Sequence, residues 1–173
     1  MKNAIIVHAW DSAPEQHWYL EEKKLLEDLG YRVSVPKLPG GNWPKLDEWL
    51  PLIEGLESDR ETIFIGHSLG TPAILRYLEK SRQKVDKVIS IAGFAEDLGF
   101  DETRNFIERP FDWAEIKLLA DKFIIIAQKN DPYVPVDAAY NVALHSGGDW
   151  ILLDGDNHFD KMDLNLINKC LEK

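Results

Sequence analysis

The feature that most constrains this chain is a series of six short apolar runs. They are 3–8 (NAIIVH), 31–35 (YRVSV), 62–66 (TIFIG), 86–92 (DKVISIA), 122–128 (KFIIIAQ) and 149–153 (DWILL). Most are continuous stretches of Ile and Val with no polar alternation, the pattern of strands covered on both faces, as in a parallel sheet. Helical patterns fill the intervals. One spans 15–29 and stops at Gly30, a good residue for the left-handed position after a helix. Leu46, Trp49, Leu50 and Ile53 share a face, with Pro51 expected to kink or restart that helix. Ala73, Ile74, Tyr77 and Leu78 form a second stripe, Val136, Ala139, Tyr140, Ala143 and Leu144 a third, and a last helix covers about 160–172.

Strands alternating with helices imply an α/β fold: an open, mostly parallel six-stranded sheet with right-handed crossovers and helices on both faces. No linker, repeat or low-complexity tract interrupts the series, so residues 1–173 are expected to form one domain. The one long irregular stretch is 93–113, longer than an ordinary strand-to-helix connection and so expected to be a flap-like insertion.

Thirty acidic against twenty basic residues leave a formal charge of −10. That balance argues against binding nucleic acid, which needs a basic face to displace counterions, and against anionic membrane surfaces. The single cysteine, Cys170, excludes an intramolecular disulfide and borders the stripe of Leu164, Ile167 and Leu171, where it is expected to be a small buried hydrophobe. No apolar run approaches the ~18 residues of a membrane span, and the N-terminus lacks the apolar core of a signal peptide. A cytoplasmic location is expected.

The third strand runs straight into Gly66-His67-Ser68-Leu69-Gly70 and then a helix. G-x-S-x-G between strand and helix presents a serine at the carboxyl end of a sheet, on a turn so tight that flanking side chains would clash. Pro72 suits the first turn of the helix, where its missing N–H costs no hydrogen bond. A serine hydroxyl is a weak nucleophile without a base, so a histidine and a carboxylate must follow, each on a loop after a strand. Asp131 lies at the exit of the fifth strand, in a loop stiffened by Pro132 and Pro135, and His158 follows the sixth strand before the last helix. Asp137 falls inside a helix, and Asp154 and Asp156 are too near His158 in sequence to reach its ring easily. The plainer role for Asp131 is to cap the helix starting near Pro135. His145 is expected to serve the dipole at a helix C-terminus, while His17, in the first helix, and His67 are expected to pack or hydrogen-bond. There is no H-E-x-x-H, cysteine pair, P-loop or G-x-G-x-x-G, so the reading needs no metal or organic cofactor.

The chain resembles the small serine-hydrolase family of YdeN and retinoblastoma-binding protein 9, within the α/β-hydrolase superfamily. The resemblance rests on Ile6-Val7-His8 with His17-Trp18, Pro36-x-Leu38-Pro39, Leu46-x-Glu48-Trp49, the elbow through Pro72-Ala73-Ile74-Leu75, Gly93-Phe94-Ala95, Asn130-Asp131-x-x-Val134-Pro135 and His158-Phe159. It implies a compact hydrolase core without a large lid domain and a triad on Ser68, Asp131 and His158. Two features depart from the family: His8-Ala9 stands where a His-Gly pair is usual, and the L-x-C-x-E segment of the namesake is missing around Cys170.

The expected activity is hydrolysis of small acyl esters, with thioesters and amides left open. Ser68 would attack, His158 would carry the proton, and Asp131 would orient the imidazole. The oxyanion would meet the backbone N–H groups of Leu69 and Trp10, and Ala9 is expected to keep an ordinary negative φ. Phe94, Trp113 and Phe159 are candidate substrate-binding residues, and Phe94, Phe100, Phe106, Phe111 and Trp113 are expected to border the acyl pocket. Two rivals stand beside this reading: a catalytically idle binding protein on the same fold, and an acyltransferase using the same triad. The partner implied is a small-molecule acyl substrate, with any protein partner left open.

Overall fold

The computed structural model describes residues 2–172. All six apolar runs form strands: β1 (Asn3–Val7), β2 (Arg32–Ser34), β3 (Ile63–His67), β4 (Val85–Ile91), β5 (Ala120–Gln128) and β6 (Asp149–Leu153). They pair in parallel throughout, in the order β2-β1-β3-β4-β5-β6. β1 and β3 are buried at every position, as unbroken apolar sequence requires.

The helices are α1 (Tyr19–Asp28), α2 (Leu46–Glu54), α3 (Gly70–Ser81), α4 (Arg104–Ile107), α5 (Trp113–Ile116), α6 (Val136–Ser146) and α7 (Asn165–Leu171). On one face of the sheet Trp49 and Ile53 of α2, Ala73, Ile74 and Tyr77 of α3, and Ala139 and Val142 of α6 build one core. On the other, Tyr19 and Leu26 of α1 meet Ile167 and Cys170 of α7. Glu22 shares that inner face of α1 and is fully buried.

Several local expectations shift. The first helix begins at Tyr19, because His17 takes a left-handed φ of 53°, and it closes as expected at Gly30 (φ 87°), with Tyr31 N–H bonding the Leu26 carbonyl. α2 runs continuously through Pro51 instead of restarting. A proline there forgoes the bond its N–H would make and crowds the carbonyl of Asp47, a cost offset by the buried Trp49 and Ile53 that hold the helix down. α6 turns its small residues inward (Ala138, Ala139, Val142, Ala143), so Tyr140 and Leu144 of the expected stripe are exposed. The last helix starts only at Asn165, after a left-handed Phe159 and a short turn.

Residues 93–113 are shaped and anchored. A short 3-10 turn, Asp101–Thr103, leads into α4. From α3 the buried Arg76 guanidinium donates to the carbonyls of Phe106 (2.9 Å), Arg109 and Pro110, pairs with Glu79 (2.7 Å), and lies 3.6 Å over the Phe111 ring. One buried cation thus collects carbonyls at the C-terminal end of α4 and in the turn that follows it.

Candidate active site

In an open parallel sheet, ligands settle outside the carboxyl ends of the strands where the chain order reverses. Here the reversal falls between β1 and β3, so the loop after β1 and the turn after β3 flank one crevice.

Ser68 sits on that turn with a φ of 53°, a left-handed conformation that a non-glycine residue adopts only under constraint. The constraint is visible: Ser68 N–H bonds the Ile91 carbonyl at 2.8 Å, and Thr71 N–H bonds the Ser68 carbonyl at 2.9 Å. A Cβ on Gly66 would stand 2.8 Å from Ile74 Cδ1, and one on Gly70 would collide with the Val7 carbonyl oxygen. Gly66 therefore lets β3 and α3 meet closely, and Gly70 lets the start of α3 lie against the end of β1, an arrangement that places Ser68 at the N-terminal end of α3, where unpaired N–H groups favour negative charge.

Asp131 and His158 meet across 27 residues of chain. His158 Nδ1 lies 2.9 and 2.8 Å from the two carboxylate oxygens. Asp131 Oδ1 also accepts the N–H groups of Tyr133 (2.9 Å) and Val134 (3.0 Å), so the loop between the two prolines wraps its own carboxylate. The Asp131 side chain is only 2% exposed, and the N-cap of α6 is Pro135, with no side-chain cap among the described residues, so Asp131 does not cap that helix. Asp154 turns instead to solvent and pairs with Lys129. No hydrogen bond closes between Ser68 and His158 in this structure, but both face the same cavity.

The loop after β1 is held by a second buried histidine. His8 Nε2 accepts the Leu38 N–H at 3.1 Å, and Nδ1 therefore donates to the Ala9 carbonyl at 2.8 Å. Burial lowers the His8 pKa, in keeping with a neutral ring. Because the peptide is trans, holding the Ala9 carbonyl sends the Trp10 N–H the opposite way. Among the described residues neither Trp10 N–H nor Leu69 N–H has a hydrogen-bond partner, and both residues line the cavity. Ala9 stays out of the left-handed region; the left-handed residues of this loop are Asp11, at φ 49°, and His17, at φ 53°.

The cavity encloses about 290 Å³. Trp10, Phe94, Leu98 and Phe100 give it an apolar wall, and His17, Asp11 and Asp160 a polar one. Of the expected substrate residues Phe94 lines it, whereas Trp113 and Phe159 lie outside. Trp113 stacks on His145, and Phe159 is buried in the opposite core, where its carbonyl receives the Trp18 indole N–H at 3.0 Å. Phe106 and Phe111 are likewise withdrawn, packed on Trp49 and under Arg76. His17, expected inside a helix, precedes it, lines the cavity and lies 3.5 Å from Asp160. Tyr133, edge-on to the His158 ring at 5.2 Å, was not singled out from sequence, although its place two residues after Asp131 was a usable signal. Among the described residues no group of three or more His, Cys, Asp or Glu is placed to hold a metal ion.

A six-stranded parallel sheet with a left-handed serine between β3 and α3, and an Asp–His pair on the loops after β5 and β6, is the architecture of an α/β-hydrolase. Comparison with known proteins resolves the class further. The serine hydrolase family model matches residues 4–163, and the chain belongs to that family of enzymes. It is 30% identical over 161 residues to YdeN of Bacillus subtilis (strain 168), covering 84% of this chain and 85% of that one. It is 32% identical over 130 residues to the serine hydrolase RBBP9 of Rattus norvegicus, covering 73% and 69% of the two chains. The crystal structure of the B. subtilis ydeN product superposes over the full length of both chains with a TM-score of 0.92 at 25% identity. No helix among the described residues is long and apolar enough to cross a membrane.

Proposed function

We propose that the enzyme hydrolyses small acyl esters through a Ser68–His158–Asp131 triad and an acyl-enzyme. Ser68 Oγ attacks the carbonyl carbon as His158 takes its proton. The tetrahedral oxyanion is received by the N–H groups of Leu69 and Trp10. Collapse expels the alcohol, which leaves with the proton from His158, and water then repeats the sequence to release the acid. Asp131 keeps Nδ1 protonated and Nε2 free to act as base, and its charge supports the imidazolium once formed. The observation that carries this reading is the His158 Nδ1 contact to both Asp131 oxygens beside the cavity that Ser68 enters. The apolar wall of Trp10, Phe94 and Phe100 suits a short acyl or aryl group, in a space sized for a small molecule.

The test is a panel of p-nitrophenyl esters, thioesters and aminoacyl amides, compared between wild type and Ser68→Ala. Turnover of short esters that falls by orders of magnitude in Ser68→Ala supports the reading. Equal rates in the two proteins would overturn it.

A further inference from the structure

Two buried side chains that the reaction above does not use lie behind the nucleophile turn and join the two halves of the site. Tyr19 and His67 are both fully buried. Ala9 N–H donates to Tyr19 Oη at 3.1 Å, Tyr19 Oη meets His67 Nδ1 at 2.7 Å, and His67 Nε2 meets the His158 carbonyl at 2.8 Å. The direction of every bond is forced. A carbonyl oxygen only accepts, so Nε2 carries the ring proton and Nδ1 must accept. A backbone N–H only donates, so the tyrosine hydroxyl accepts from Ala9 and gives its own proton to the ring. Desolvation lowers the His67 pKa to about 3, which keeps the ring neutral and its tautomer constant wherever His158 can act as a base.

Resting on the triad assignment, we propose that Tyr19 and His67 are positioning residues, a buried relay that sets the oxyanion loop after β1 and the main chain of His158 against each other. One end fixes the peptide immediately before the one that carries the Trp10 N–H. The other fixes the backbone from which the His158 imidazole reaches Asp131. The relay also passes between two strained residues, Ser68 at φ 53° and Phe159 at φ 56°, each next to a residue that it holds. Strained backbone persists only where its surroundings over-determine it, and two anchored neighbours do that here. Ring packing adds to the fit, with the His67 ring 5.1 Å from that of His158 and 5.7 Å from that of Trp18.

A relay of this kind is separable from mere core satisfaction. Tyr19→Phe keeps the ring and removes only the hydroxyl. His67→Gln can place an amide N–H where Nε2 stands and so keep the arm to His158, but it cannot supply the acceptor for Tyr19. On a short p-nitrophenyl ester, with active sites titrated by a fluorophosphonate, each variant should lower kcat about 10- to 100-fold with KM within about twofold. That is part of the ~10²–10³ lost when an oxyanion donor is removed outright. The double variant should fall no lower than the worse single, since members of one unit are non-additive. Histidine ¹⁵N NMR gives a readout independent of turnover. Wild type should show His67 in the Nε2–H tautomer from about pH 5 to 8, and Tyr19→Phe should move the His158 resonances. If wild type is no faster than Ser68→Ala, the triad reading fails and the spectra alone decide the relay. A kcat within twofold of wild type in Tyr19→Phe with unmoved His158 signals, or a loss that only follows a lower Tm or active fraction, would overturn it.

Discussion

Glu22 is a carboxyl group placed where a protein of this size rarely tolerates a charge. It lies on the inner face of α1 between Tyr19 and Leu26, has no solvent exposure, and neither carboxyl oxygen has a hydrogen-bond partner among the described residues. Desolvation raises its pKa from 4.5 to about 7. A raised folded-state pKa means that the unfolded chain releases this proton first, so stability is full below pH 4.5 and falls as pH rises through about 7. The shift corresponds to a loss of at most about 3 kcal/mol, at ~1.4 kcal/mol per pKa unit. Glu22→Gln replaces the acid with a neutral group of the same shape, and the opposite slope contributed by His67 is common to both proteins and cancels. The variant should therefore match wild type to within about 1 kcal/mol near pH 4.5 and exceed it by about 2–3 kcal/mol at pH 8.5. For a chain of this length that is a Tm gap growing to roughly 5–10 °C. Thermal unfolding of both proteins by circular dichroism across the pH range checks it. A Tm difference that stays flat with pH would show that the buried carboxyl is not the titrating group.

Two further outcomes follow from the elbow and the cavity. Gly70→Ala should be destabilised by about 3 kcal/mol in a denaturant titration, because its Cβ meets the Val7 carbonyl oxygen at the end of β1, where backbone cannot move aside. Phe100→Ala should change the ratio of rates on long and short acyl esters by about tenfold, whereas Trp113→Ala should leave that ratio unchanged and lower Tm, since only Phe100 lines the cavity.

The sheet was legible because its strands are written as unbroken apolar runs, which mark strands buried on both faces but, having no alternation, leave their register to the fold. The elbow and the Asp131 and His158 loops were legible because each follows directly on such a run. The helix of α6 was legible but its inward face was not, since apolar residues there satisfy two neighbouring helical faces. What decides between them is how closely Ala138, Ala139 and Ala143 let the helix approach the sheet. The left-handed φ of His17 has no local signal, so the residue was assigned to a helix although it borders the cavity. Tyr19 and Arg76 read as ordinary helical residues. Their buried partners, His67 and Ala9 for one and the carbonyls of 106–110 for the other, come from elsewhere in the chain and appear only once it is folded.

The central claim is that Ser68 is a nucleophile activated by His158. Treatment with a fluorophosphonate, followed by peptide mapping in a mass spectrometer, tests it most directly, because the probe reports the reactive serine without any assumption about substrate. The account predicts a single adduct on Ser68, absent in Ser68→Ala and slowed by orders of magnitude in His158→Ala. An adduct on another serine, or one on Ser68 that forms equally fast in His158→Ala, would contradict it.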